Sequence, residues 1–310
     1  MVSTPKNGEI EEARVADYEV RHVLDVKAGL GEAPLWSVEE QALFWVDIHR
    51  KCFNRFDPVS GSNRSWSLPA TPGCFAFRVD GGAVIATSHG YYDFDFTTHA
   101  IELIRKAPFD PGQFRFNDGK TDRQGRFWAG SIQKDFDPEA PGQGIYYRYE
   151  AGVVTPGIFG ITVPNGTAFS PDGRTMYHSE SMQRVIYSLD YDPDTGVASG
   201  QRVFARMPEG FGIPDGATVD TEGGFWTALP FGQTGKVARF TADGRLDVHF
   251  DVPVLVPTMV AFGGPDMTTL FVTSGRIEAL LKRPESPLGG DVFAVETGYC
   301  GIPEIPIARA

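Results

Sequence analysis

The stretch "PNGTAFSPDGRTMYHSE", Pro164 to Glu180, decides how the chain folds. A Pro-Asn-Gly turn opens a short apolar strand, an Asp-Gly turn follows, and a second strand ends in polar residues. Turn pairs this close together suit antiparallel strands, whereas a helix needs apolar residues three and four apart over about ten or more positions. Working outward, the unit recurs as "SVEEQALFWVDI" (37 to 48), "RVDGGAVIATS" (78 to 88), "TDRQGRFWAGS" (121 to 131), "DTEGGFWTAL" (220 to 229) and "GGPDMTTLFVTS" (263 to 274).

With Trp45, Ile85, Trp128, Tyr177, Trp226 and Phe271 in register, neighbouring copies lie 40, 43, 49, 49 and 45 residues apart by subtraction. A period in the mid-forties is the length of one four-stranded propeller blade. The expected fold is therefore all-β, a six-bladed β-propeller with four-stranded blades around a central channel. "YEVRHVLDV" (18 to 26) is expected to pair with C-terminal strands such as "DVFAVET" (291 to 297) and close the ring. Residues 1 to 15 are expected to form a loose tail, and 16 to 310 one catalytic domain.

Composition agrees: 36 Gly, 23 Pro and 12% aromatic residues in a chain of 310 suit many short strands and tight turns. Lys and Arg number 28 against 40 Asp and Glu, a formal charge of −12, which argues against nucleic acid as a partner. Three cysteines without a C-x-x-C pair make poor material for a disulfide framework. The first residues show no apolar segment behind a basic one, and no apolar run approaches membrane-spanning length. A cytoplasmic protein with no membrane partner is expected; oligomeric state is not readable.

One position of the repeat carries chemistry. Four residues before the apolar end of each innermost strand stand Glu32, Gly73, Asn117, Asn165, Asp215 and Thr258 in blade order. Inner strands start at one mouth of a propeller channel, so these positions converge. Asn-Gly and Asp-Gly alone are ordinary turn pairs. Turn chemistry does not require Glu32, Asn117, Asn165 and Asp215 to share one register, and together they supply two carboxylates and two amide oxygens. That set carries a charge of −2 and matches one hard divalent cation. Ca²⁺, Zn²⁺, Mg²⁺, Mn²⁺ and Fe²⁺ all accept such ligands. The EF-hand-like "DYDPDTGVASGQ" (190 to 201) lacks Gly at its sixth and Glu at its twelfth position and reads as a hairpin turn.

"LGEAPLW" (30 to 36), "RFNDGKTDRQGRFWAGS" (115 to 131), "PNGTAFSPDGRTMYHSES" (164 to 181), "PDGATVDTEGGFWTA" (214 to 228) and "AFGGPDMTTLFVTS" (261 to 274) together resemble the SMP-30/gluconolactonase family, also called the regucalcin family. The resemblance spans about residues 18 to 305. It implies a six-bladed propeller with one divalent cation at the channel mouth, and lactone hydrolysis as the activity. On this resemblance Glu32, Asn165 and Asp215 match the family's metal ligands. Arg115 and Asn117 match residues that contact substrate, the Asn lying close to the metal or its water. Ala33 stands where many members have Gly, and Glu180 where many have Asp. The segment "IQKDFDPEAPGQG" (132 to 144) departs from the family pattern, which leaves Gln133 and Lys134 as weak candidates and substrate choice open.

The expected reaction is metal-dependent hydrolysis of a sugar-derived 1,4- or 1,5-lactone to the aldonic acid. Asp215 serves as metal ligand and general base, and Arg115 and Asn117 hold the substrate. Two other readings share the scaffold: organophosphate or phosphotriester hydrolysis, and a non-catalytic cation-binding propeller.

Overall fold

Alternating apolar residues and turns at Gly, Pro and Asp give twenty-five strands, numbered β1 to β25 in chain order, with no helix among the described residues. The computed structural model describes residues 13–135, 137, 140, 142–277, 284 and 286–308. Strands assort into six sheets, five of four strands and one of five, so the fold is the expected six-bladed β-propeller. The innermost strands are β3 (Gly31–Ser37), β7 (Pro72–Phe77), β11 (Phe114–Thr121), β15 (Pro164–Phe169), β19 (Ala217–Val219) and β23 (Pro257–Gly263).

The ring closes as the N-terminal reading expects. β2 (Arg21–Leu24) pairs antiparallel with β25 (Val292–Glu296), in the register Arg21 with Ala294, and becomes the outer strand of the sixth blade. The loose tail expected to reach residue 15 needs correcting at its end. Arg14–Val15 form β1, which pairs parallel with Val248 and His249 of β22 (Leu246–Val252) as a fifth strand on the fifth blade. Residues 1–12 lie outside the described residues.

The core lies between blades rather than along the channel. Trp36 of blade 1 stacks on Phe271 of blade 6, ring centres 5.6 Å apart. Trp226 of blade 5 meets Phe262 of blade 6 edge to face at 5.8 Å. Each such side chain stabilises the fold by roughly 1.5–3 kcal/mol through burial. The blades therefore form a rigid ring, and the channel is left to polar side chains. Among the described residues no helix is long and apolar enough to cross a membrane.

Candidate metal and substrate site

Five of the six inner strands break register at the repeat position. The ladder slips between Glu32 and Leu35, Pro72 and Cys74, Phe116 and Gly119, Asn165 and Ala168, and Pro257 and Met259. A β-bulge interrupts the in-out alternation and re-aims a side chain. In blades 1, 3 and 4 it re-aims the repeat residue, Glu32, Asn117 or Asn165. In the fifth blade Asp215 precedes its strand, and its amide donates to Ala228 O at 3.0 Å. Gly166 shows why the motif needs glycine: its φ is +59°, and a Cβ there would lie 2.3 Å from Ser179 Oγ.

The sequence-derived residues meet at one mouth. Arg115 Nη1 donates to Asn117 Oδ1 at 2.8 Å, and Asn117 Nδ2 donates to Asn165 Oδ1 at 2.8 Å and to Pro164 O at 2.9 Å. Asn165 Nδ2 donates to Ser181 Oγ at 2.9 Å, and Ser181 Oγ to Pro214 O at 2.7 Å, next to Asp215. This chain of hydrogen bonds runs through blades 3, 4 and 5 and fixes which face each amide presents. Each Asn oxygen accepts one bond and keeps a second lone pair.

The other two repeat positions are not ligands, for reasons the structure supplies. A Cβ on Gly73 would lie 2.4 Å from Phe116 O, so blade 2 has no room for a donor there. Thr258 Oγ1 donates to Gly31 O and lies 2.9 Å from Thr273 Oγ1, which commits its hydroxyl to the seam between blades 6 and 1.

Electrostatics single out the carboxylates. Burial, then the Asp215 and Asp118 charges, push the Glu32 carboxyl well above its ordinary value. Asp215 is raised likewise, by burial and then by Asp118. Neither forms an ion pair among the described residues. Burial lowers the Arg115 guanidinium to about 10, which leaves it charged at neutral pH. Two crowded carboxylates, of which Glu32 has its charge eased by Arg115, fit a divalent cation beside two anchored amide oxygens, and the ion would offset their repulsion. Among the described residues no three His, Cys, Asp or Glu side chains cluster as a metal site. Glu32, Asn165 and Asp215 would hold the ion, with Asn117 beside them.

Sequence reasoning missed Asp118. The bulge after Phe116 lets consecutive residues 117 and 118 both point inward, which strand alternation forbids. Asp118 accepts hydrogen bonds from Thr167 N at 2.8 Å and Gly119 N at 2.7 Å and is buried below the mouth. The Asp following Asn117 was the only available signal. Cys74 is fully buried and its thiol is pushed well up by burial, so it is packing rather than a nucleophile. Glu180 accepts from Thr162 N at 2.5 Å and Val163 N at 3.1 Å and shapes the turn into β15. Lys134 Nζ donates to Pro111 O at 2.7 Å on the surface. Gln133 lines a cleft of about 100 Å³ with Asp135, Gly142 and Thr162.

Comparison with known proteins gives the family. Residues 30–276 match the model of the SMP-30/gluconolactonase/LRE-like region. The 6-deoxy-6-sulfogluconolactonase of Pseudomonas putida is 39% identical over 89% of this chain and 94% of its own. The pentonolactonase XacC of Haloferax volcanii is 33% identical over 92% and 97%. The crystal structure of regucalcin from Agrobacterium tumefaciens, described as a calcium-binding protein, superposes with a TM-score of 0.86 at 28% identity, covering 94% of this chain and 98% of that one. The chain belongs to the SMP-30/gluconolactonase/LRE-like family.

Proposed function

We propose that the protein hydrolyses a sugar-derived lactone to its open-chain aldonic acid, with one divalent cation held by Glu32, Asn165 and Asp215. The observation that carries the reading is the coincidence at one mouth of two unpaired, mutually repelling carboxylates, two anchored amides and a half-buried arginine. The names of the relatives from Pseudomonas putida and Haloferax volcanii support sugar lactones as the substrate class.

When bound, the cation supplies Lewis-acid polarisation of the ester carbonyl and a lowered pKa for water. The chain's own residues supply the rest. Arg115, held against Asn117 and Phe116 O, presents a fixed guanidinium to the lactone's ring oxygen or hydroxyls. Asn117 orients the substrate from the same strand. Asp215 accepts the proton of the attacking water and returns it to the ring oxygen as the ester C–O bond breaks, so the product is a hydroxy acid. The tight β11 to β15 hydrogen bonds fix these groups before substrate arrives, and that preorganisation favours the polar transition state.

The experiment is a panel of 1,4- and 1,5-aldonolactones and one phosphotriester, assayed after chelation and after adding back Ca²⁺, Mg²⁺, Mn²⁺, Zn²⁺ or Fe²⁺ singly. Chelator-sensitive lactone opening is expected. Turnover of the phosphotriester alone would replace the reading with phosphotriester hydrolysis. Neither rate rising above the no-enzyme control would leave a cation-binding module.

A further inference from the structure

After Thr297 no described residue belongs to a blade strand; isolated bridges pair Gly301 with Asp220 and Ile307 with Arg78 as the chain crosses the lower end of the channel. Cys300 O accepts from Thr221 N at 2.8 Å, Gly301 N donates to Met267 O at 2.8 Å, and Ile307 N donates to Phe77 O at 2.8 Å. A Cβ on Gly125 would lie 2.9 Å from Pro306 O. The strap therefore rests on the bottom turns of blades 6, 5, 3 and 2.

From the middle of the strap Glu304 reaches Lys120, Oε1 to Nζ 3.0 Å, with side chains only 13% and 4% exposed. Its Oε2 is buried and accepts no hydrogen bond among the described residues. Lys120 Nζ also donates to Ala217 O at 3.2 Å. Lys120 lies on β11, the strand of Arg115 and Asn117, and Ala217 begins β19, directly after Asp215 and Gly216. One ammonium thus ties blade 3 to blade 5 across the channel, just below the residues that face each other at the mouth.

We propose that Lys120 and Glu304 are a positioning pair for the cation site, a role that rests on the cation-dependent reading above. An ammonium on a four-carbon stem has many rotamers, and a buried carboxylate selects the one that reaches Ala217 O. That bond fixes the distance between the strands bearing Asn117 and Asp215. The pair also completes the charge balance of the channel. Glu32, Asp118, Asp215 and Glu304 stand against Arg115 and Lys120, which leaves a formal −2 for one divalent cation.

The test is calorimetric titration of Mn²⁺ into wild type and the double variant Lys120→Met/Glu304→Gln, which removes one charge of each sign and so keeps the channel's net charge. Far-ultraviolet circular dichroism checks folding. Loss of an outer-shell support weakens metal binding by roughly 10–100-fold, so the Mn²⁺ Kd is expected to rise tenfold or more. A folded double variant with wild-type Kd overturns the proposal, because charge alone would then describe the pair. If the double variant does not fold, Glu304→Gln is read by amide hydrogen exchange. Faster exchange confined to β11 and β19 supports the tie, and unchanged exchange there overturns it. Wild-type protein that takes up no Mn²⁺ removes the cation reading itself, an outcome distinct from either.

Discussion

The two ends of the channel use the same residue type for opposite purposes. At the bottom, Asp220 Oδ2 takes the indole of Trp226 at 2.8 Å and Arg239 Nε at 2.7 Å, while Oδ1 takes Glu222 N and Gly224 N. Asp122 is met likewise by Arg126 at 3.0 Å, Tyr191 OH at 2.5 Å and two backbone amides. At the mouth, backbone hydrogen bonds at Gly216 and Ala33 act on Asp215 and Glu32, neighbouring carboxylates oppose their charge, and Arg115 eases that of Glu32. A buried carboxylate is stable when the protein satisfies it. On the cation-dependent reading proposed above, Asp220 braces its own blade and Asp122 ties blade 3 to blade 4 through Tyr191, whereas Asp215 and Glu32 would be completed by a cation from outside.

The largest effect expected from breaking this contrast is on rate. Asp215→Asn keeps an oxygen of the same size but loses the charge and the basic lone pair. With metal saturation confirmed by titration, kcat should fall about 10²- to 10⁴-fold while the protein stays folded. Retention of more than a third of wild-type kcat would move the base elsewhere. At the other end, Asp220→Ala leaves Arg239 without its central partner and should cost about 3–5 kcal/mol in denaturant unfolding. The metal Kd of the folded fraction should not change, and a loss of metal affinity without a loss of stability would invert the two roles.

A third buried group sharpens the comparison because it is neither paired with a charge nor ready for a cation. His178 is fully buried between Tyr146 and Tyr187, and burial lowers its pKa to about 4 from an ordinary 6.5. The unfolded chain therefore takes up a proton that the folded chain refuses. This contribution is full above about pH 6.5 and drains as pH falls toward 4, by about 3 kcal/mol at 1.36 kcal/mol per unit. His178→Gln should flatten the acid limb of a stability–pH curve, and an unchanged limb would place the acid sensitivity in other groups. The smallest effect is expected for Glu32→Gln, which removes one of two ligand charges. The metal Kd should rise tenfold or more, about 1.4 kcal/mol per decade, and the thermal shift on adding metal should shrink accordingly. An identical thermal shift in the variant would exclude Glu32 from the cation's ligands.

Repetition made the ring legible. Six turns in register gave the blade count, and a shared position brought Glu32, Asn117, Asn165 and Asp215 together before any coordinates. What stayed hidden depends on contacts between distant segments. Asp118 faces inward only because a bulge breaks alternation after Phe116, and no residue type announces a bulge. Gly73 looked like a missing donor, yet it is the one residue that fits beside Phe116 O. Thr258 carries an oxygen but is bonded to Gly31, a partner at the far end of the chain. Lys120 and Glu304 are 184 positions apart by subtraction, and nothing local to either marks the pair. Arg14 and Val15 stand between two alanines and are exposed, and only the free edge of β22 makes them a strand.

Ring closure through β2 and β25 sets the order in which the protein can mature during synthesis. The sixth blade joins segments as far apart as Arg21 and Glu296, 275 positions, so it is completed only when nearly the whole chain has left the ribosome. Pairings this distant form late, because the entropy of closing so long a loop is met before any contact rewards it. Glu32 and Asp215 lie in blades 1 and 5, which flank that seam blade on its two sides. On the cation-dependent reading proposed above, a nascent chain would carry no assembled site, and the metal would lock a ring that has already closed rather than template its early folding.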